Sequence, residues 1–275
     1  MRTSKWDARI RRAHELASTY SFAAEGLLFY ERITQFQKSL YSDIEPQSVS
    51  NPAIESLVPS STLSRPELDF IFLLPRFRAL LSLIEGNGPA PLASSASGLR
   101  TQGAQRWQHV LAEFWQTGPS VPDDLSTAES LMAWIFLQPY AEYLADHSPR
   151  IPPGAAPSTC PFCGSKPQVG ALRQEGDGGK RFLICALCGT DWEYRRIVCP
   201  ACGEEDPRKL AVYTADEFKH VRVEACDTCH SYIKTVDLTK DARAVPAVDE
   251  LATIPLNLWA AEHGYGKSQT NLLGI

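Results

Sequence analysis

The chain has 275 residues, 44% hydrophobic content and a formal net charge of −5. That length suits more than one domain, and the composition is that of a globular protein with a sizeable core. The acidic balance argues against a globally basic nucleic-acid binder, and no apolar run reaches the ~18 residues that a membrane-spanning helix needs.

The start, Met1-Arg-Thr-Ser-Lys-Trp-Asp7, has no apolar run after its charges, so no secretory leader is expected. From Ile10 to Leu40 apolar residues recur mostly at gaps of one, three and four, which predicts a helix bent at Gly26, or two helices. A Pro- and Ser-rich stretch over 45–65 predicts a linker. A second helix is expected to start near Ser64-Arg-Pro-Glu67 and to run through the apolar body 68–84, bent or divided at Pro75. Gly86 to Pro91 ends it, and the Ser/Ala/Gly stretch to Gly98 reads as a connection. Gln105–Trp115 is amphipathic and stops at Gly118-Pro119. Ser126-Thr-Ala-Glu129 has the form of a capping box before the apolar run Leu131–Leu144, whose aromatics read as core. This half contains no cysteine and no catalytic set. It predicts an all-helical domain over residues 1–150, closed by the boundary stretch Ser148–Gly154.

All eight cysteines lie between Cys160 and Cys229, in four pairs with a two-residue gap. The pairs are Cys160/Cys163, Cys185/Cys188, Cys199/Cys202 and Cys226/Cys229. The first two are separated by 21 residues and the last two by 23, so one Cys-x2-Cys, spacer, Cys-x2-Cys unit occurs twice. A Cys-x2-Cys turn delivers two thiolates from one loop, and a second turn across a hairpin completes a tetrahedron. Gly164, Gly189 and Gly203 follow three of the pairs, where positive φ lets the loop fold beneath its sulfurs. The spacing therefore predicts one metal at Cys160, Cys163, Cys185 and Cys188, and a second at Cys199, Cys202, Cys226 and Cys229. Interleaved pairing is the alternative, and sequence order favours local closure. Closed four-thiolate sites usually serve folding. Free thiolates also point to a reducing compartment, the cytoplasm.

Between the first two pairs, Gln168–Leu172 and Arg181–Ile184 flank Glu175-Gly-Asp-Gly-Gly179 and predict a hairpin. Trp192–Val198 reads as a strand, Leu210–Tyr213 and His220–Ala225 as a matching hairpin, and Tyr232–Val236 as a further strand. Expected module bounds are 155–196 and 197–245. Residues 246–275 then supply a helix interrupted by Pro255 and a tail from Gly264. The fold class is multidomain α plus small β: a helical domain followed by two tandem four-cysteine modules.

Zinc-ribbon modules often bind nucleic acid, but Cys160–Arg243 holds 13 Lys and Arg against 13 Asp and Glu. That balance offers no net charge to a phosphate backbone. His230 stands where the other pairs have glycine, and it reads as an exposed loop residue because four cysteines already complete the site. No phosphate loop, metalloprotease helix or nucleophile elbow is present, and the acid pairs Asp123-Asp124 and Glu204-Glu205 read as loop residues.

Three blocks carry a family resemblance: Cys160-Pro-Phe-Cys-Gly-Ser-Lys-Pro-Gln-Val-Gly170, Cys185-Ala-Leu-Cys-Gly-Thr-Asp-Trp-Glu-Tyr-Arg-Arg196, and Glu224-Ala-Cys-Asp-Thr-Cys-His-Ser-Tyr-Ile-Lys234. With the tail Asp249-Glu-Leu-Ala-Thr-Ile-Pro-Leu256, they resemble the FdhE family, accessory proteins of formate dehydrogenase maturation. The likeness is specific across about 148–275. It departs at His230 and Gly189, neither of which touches the ligand set. The resemblance implies rubredoxin-like modules, iron in preference to zinc, a cytoplasmic location and binding to the catalytic subunit of formate dehydrogenase. The spacing alone accepts either metal.

The expected function is thus a non-enzymatic accessory factor needed for formate dehydrogenase maturation. The alternatives are a rubredoxin-like one-electron carrier and, third, a zinc-ribbon nucleic-acid binder. A partner surface is expected near Trp192, Tyr194, Arg196 and Tyr232.

Overall fold

The computed structural model describes residues 4–48, 68–119, 125–148, 157–175 and 178–275. Of the linker expected over 45–65, residues 45–48 are instead the end of a helix; its remainder over 49–65, the helix start at Ser64–Glu67, Asp123-Asp124, the boundary stretch over 149–154 and the turn tip at 176–177 lie outside the described residues.

Two compact units divide the chain: residues 32–149 form one, and residues 1–31 with 150–275 form the other. The division falls within helix α2 (Ala24–Ser48).

The 32–149 unit contains α3 (Phe70–Asn87), α4 (Ala90–Gln102), α5 (Ala104–Thr117) and α6 (Thr127–Asp146). Asp69 caps α3 by accepting from the Ile71 and Phe72 N–H groups. The helix then buries one face, from Leu73 through Phe77, Leu80 and Leu81 to Ile84, and accommodates Pro75 on its way. The Ser/Ala/Gly stretch, expected as a connection, is helix α4. Pro91 sits in its first turn, where no N–H is needed, and Ala, Leu, Gln and Arg propagate it. Gly103 and Gly118 bracket α5 with φ of 81° and 74°. The capping box at Ser126 and Glu129 is present with both of its bonds. The α6 helix is buried on nearly every side, as its all-round apolar sequence requires. Phe77 and Phe136 meet edge-to-face at 5.1 Å in this core.

In the other unit, α1 (Lys5–Thr19) ends where Tyr20 turns extended, at φ −117° and ψ 92°. The helical break thus lies six residues before Gly26. Tyr20 packs edge-on against Phe218 at 5.4 Å, a contact that helical periodicity does not announce.

The first cysteine unit supplies β1 (Pro167–Glu175), β2 (Gly178–Cys185) and β3 (Asp191–Glu193). The second supplies β4 (Leu210–Thr214), β5 (Val221–Cys226) and β6 (Ser231–Asp237). Each is an antiparallel set, and the expected strand over 192–198 shortens to β3. The two sets join through a parallel pairing of β1 with β6, so one sheet runs β3-β2-β1-β6-β5-β4. On one face Val221, Val223, Ala225, Tyr232 and Val236 point into a core shared with Val169, Leu256 and Ala260. Helices α7 (Pro246–Ala252) and α8 (Ile254–Glu262) supply that cover, with Pro255 at the start of α8. The tail is ordered: β7 (Gly266–Lys267) pairs with β6.

The β1–β6 junction leaves no room at Gly170. It lies opposite Thr235, and a Cβ there would collide with the Thr235 hydroxyl. Gly170→Ala is expected to destabilise the protein by about 1–3 kcal/mol, and adding Thr235→Ala should restore most of that loss. Chemical denaturation of the three variants checks it. Wild-type stability in Gly170→Ala would show that the junction yields.

Candidate metal centres

The eight sulfurs form two groups of four: Cys160, Cys163, Cys185 and Cys188, and Cys199, Cys202, Cys226 and Cys229. Within each group the sulfur atoms all lie within 4.8 Å of one another. This is the local closure expected from the sequence, and it is not interleaved. In the first cluster Cys160 and Cys188 approach to 3.6 Å, and Cys163 and Cys185 to 3.4 Å. In the second, Cys199 and Cys229 stand 3.7 Å apart, as do Cys202 and Cys226. A tetrahedral ion with metal–sulfur bonds of ~2.3 Å would set its sulfurs about 3.8 Å apart. The donor set and its spacing therefore fit one four-thiolate ion per cluster.

Local backbone explains the convergence. After the first cysteine of each unit the chain doubles back: Gly164 N–H donates to Cys160 O and Gly203 N–H to Cys199 O, both at 2.9 Å. Gly164, Gly189 and Gly203 take φ of 73°, 64° and 79°. His230 occupies the same left-handed region at φ 53°, the one non-glycine among the described residues to do so. Its side chain is exposed, and it is no member of the sulfur cluster. Backbone N–H groups reach the sulfurs, from Leu187 to Cys185 and from Ala201 to Cys199, both at 3.4 Å.

The two clusters differ in exposure. Cys160, Cys185 and Cys188 are buried, whereas Cys202 in the second cluster is exposed and Cys229 half-buried. Burial pushes the Cys185 and Cys188 thiols well above their usual range, and pushes Cys199 up to about 12. Hydrogen bonding from Cys160, Cys185 and Cys188 holds Cys163 far below that range. Burial opposes ionisation at Cys229, but hydrogen bonds from the hydroxyl and N–H of Ser231, with those of Cys202 and Cys226, outweigh it and bring the thiol to about 7. A cation placed among the sulfurs would favour the thiolate form of all four.

Buried ion pairs fix the frame on which the clusters sit. Lys234 on β6 is fully buried and bonds Glu250 Oε1 at 2.9 Å, the Glu250 carbonyl at 2.5 Å and Thr253 Oγ1 at 3.1 Å. Glu250 also accepts from Lys267 at 2.5 Å and Asn271 at 2.8 Å. Beside it, Asp249 accepts from Arg12 on α1 and lies 2.8 Å from His220 Nε2. The modules are also clamped to each other. Arg181 on β2, 2% exposed, pairs with Glu224 on β5 at 2.6 Å and donates to the carbonyl of Val198 at 3.0 Å.

None of these ion pairs was anticipated from the sequence, although a signal existed. Lys234 shares strand parity with Tyr232 and Val236, and Arg181 with Leu183 and Cys185. A charge on an inward-facing parity needs a buried partner. The expected partner surface needs correcting in the other direction. Trp192, Tyr194 and Tyr232 are only 6%, 5% and 3% exposed, because they fill the modules' cores. Trp192 donates to the Pro157 carbonyl. Arg196 is exposed as expected.

Fold and site together define a helical protein that carries tandem four-cysteine modules on one continuous sheet. Residues 159–196 match the model of the FdhE central domain and residues 197–273 that of the FdhE C-terminal domain. The chain is 31% identical over 253 residues to a protein FdhE homolog of Aquifex aeolicus, covering 90% of this chain and 88% of that protein. It is 38% identical over 121 residues to the protein FdhE homolog of Pseudomonas aeruginosa, covering 42% of this chain and 38% of that one. The chain belongs to the FdhE family. Its fold is that of the crystal structure of the FdhE protein from Pseudomonas aeruginosa, with a TM-score of 0.68 at 23% identity, covering 99% of this chain and 97% of that one.

Burial alone would raise the Glu250 carboxyl, but the Lys234 and Lys267 ammonium groups outweigh it and hold it at about 2. Lys234, drawn down to about 8 by burial, stays charged at neutral pH. A depressed carboxyl contributes stability that is present above the unfolded value near 4.5 and is lost as pH falls toward 2. Glu250→Gln is expected to cost about 3–5 kcal/mol at pH 7, since it strands buried ammonium groups. The deficit should shrink as pH falls from about 4.5 toward 2, where wild-type Glu250 itself protonates. Urea denaturation across that range checks it, and a pH-independent deficit would contradict it.

Proposed function

We propose that this chain is a non-enzymatic accessory protein for formate dehydrogenase maturation. In this reading it binds the catalytic subunit through a region that metal ions hold in shape. Cys160, Cys163, Cys185 and Cys188 bind one ion, and Cys199, Cys202, Cys226 and Cys229 bind the other. The observation that carries the reading is the pair of four-sulfur clusters in a chain alignable along 90% of its length with an FdhE homolog. Four thiolates leave no open coordination position for a reacting water, so these centres suit a structural or electron-storing role better than a hydrolytic one. Iron is the ion favoured by the family resemblance. It would add a one-electron couple that zinc lacks, and both accept this donor set.

A cytoplasmic setting agrees with eight cysteines in the free form, because a reducing compartment keeps thiols available for metal. Among the described residues no helix is long and apolar enough to cross a membrane.

A second reading, a one-electron carrier, draws on one observation. Cys202 is exposed, so an iron in the second cluster would have a ligand within reach of a redox partner. A reversible loss of visible absorption on reduction, with electron transfer to a soluble acceptor, would favour it.

Two outcomes follow from the accessory reading. Cys185→Ser should lower metal content by about one atom per chain, because each tetrahedral site needs its four ligands. Elemental analysis checks this, and loss of both ions or of neither would count against independent sites. Affinity capture of the tagged protein from its anaerobically grown host should recover a formate dehydrogenase catalytic subunit, and a Cys199→Ser/Cys202→Ser variant should not. A preparation free of that subunit would contradict the accessory role.

A further inference from the structure

One cleft in the cysteine-bearing unit is not accounted for by the metal centres. It lies between the inter-module loop 196–200 and the outward face of β4, β5 and β6, opposite the core under α7 and α8. Strand register aligns Val212, Glu224 and Ile233 across its floor. Ile197 on the loop is 55% exposed and Val212 on β4 is 54% exposed, so large apolar side chains face solvent from both borders. Its volume, about 230 Å³, is below the ~300–1,000 Å³ of small-molecule sites. It suits one or two side chains of a protein segment better than a cofactor.

The charge of the cleft selects among segments. Among its lining residues three arginines face a single carboxylate. Glu224 is shared by Arg181 at 2.6 Å and Arg222 at 2.5 Å. Arg196 donates only to the Gly179 carbonyl, at 3.4 Å, and has no ion pair among the described residues. The cleft is therefore cationic in a protein of net charge −5. Apolar borders at Ile197 and Val212, beside the unpaired Arg196 guanidinium and two arginines that share one carboxylate, complement a segment with apolar anchors flanked by carboxylates.

We propose that this cleft is where the chain takes hold of its partner, through a short partner segment of apolar residues flanked by Asp or Glu. The inference rests on the accessory reading above and names its contact surface. The second metal centre shapes the cleft: Cys199 stands on the loop border and Cys226 at the end of β5, so an ion there ties the two walls together.

The test uses the full-length, metal-loaded protein and the intact formate dehydrogenase catalytic subunit of its host. Capture and affinity are compared for wild type, Arg196→Glu, Ile197→Asp and the control Ile71→Asp, a site 92% exposed on α3 of the other compact unit. Metal content and circular dichroism confirm that each variant is folded. Arg196→Glu and Ile197→Asp are each expected to weaken binding at least about tenfold, as loss of a charge-paired or anchoring contact does, while Ile71→Asp binds as wild type. Overlapping 15-residue peptides of the subunit should show binding confined to apolar segments bearing Asp or Glu. Exchanging those acids for Lys should abolish binding to wild type and restore it to Arg196→Glu. Equal capture by all four proteins would overturn the cleft assignment and leave the accessory role standing, as would selection of basic peptides. Failure of wild type to capture the subunit or any of its peptides would overturn both.

Discussion

Four sulfur atoms brought to 3.4–3.7 Å from their nearest neighbours impose the strongest constraint on the cysteine-bearing unit. As thiols they are poor hydrogen-bond partners for one another. As thiolates they repel, and burial resists each further charge, as the upward shifts of Cys185, Cys188 and Cys199 show. A cation at the centre reverses both effects, turning the least comfortable cluster of side chains into the anchor of a short hairpin. The strands around the sulfurs are three to nine residues long and bury little by themselves. The free energy of ion binding would then become folding free energy for the module.

The modules are not beads on a string. The parallel pairing of β1 with β6 makes one sheet from two repeats, and the Arg181–Glu224 pair ties β2 to β5. Lys234, Glu250, Lys267 and Asn271 then lock that sheet to α7 and the tail. Such buried pairs are costly to break because each lone charge would stay buried. The difference between the clusters follows from position. The first is largely buried, whereas the second leaves Cys202 exposed, and its Cys199 and Cys226 line the cationic cleft.

Much of this was legible in the chain itself, wherever chemistry is local. The Cys-x2-Cys rhythm announced both sulfur groups and their pairing. Ser126 and Glu129 announced the start of α6, and short strand-like runs beside turns and cysteine pairs placed β1, β2, β4, β5 and β6 close to their observed bounds. What stayed hidden was long-range. The Arg12–Asp249 contact spans 237 positions and joins α1 to α7 in the unit that holds the clusters, a grouping that no helical period encodes. The α4 segment was concealed by its serines and glycine, residues whose weak helix propensity is overcome by its place in a packed unit. Trp192, Tyr194 and Tyr232 looked like partner contacts because aromatics serve both surfaces and cores. Strand parity says which residues share a face, not which face is covered.

Each cluster is expected to enclose one ion in an all-sulfur shell. X-ray absorption at the metal edge of the purified, metal-loaded protein tests it most directly. The expected result is four sulfur neighbours per ion at ~2.3 Å with no nitrogen or oxygen bound to it. A shell containing imidazole or oxygen ligands, or fewer than four sulfurs, would contradict it.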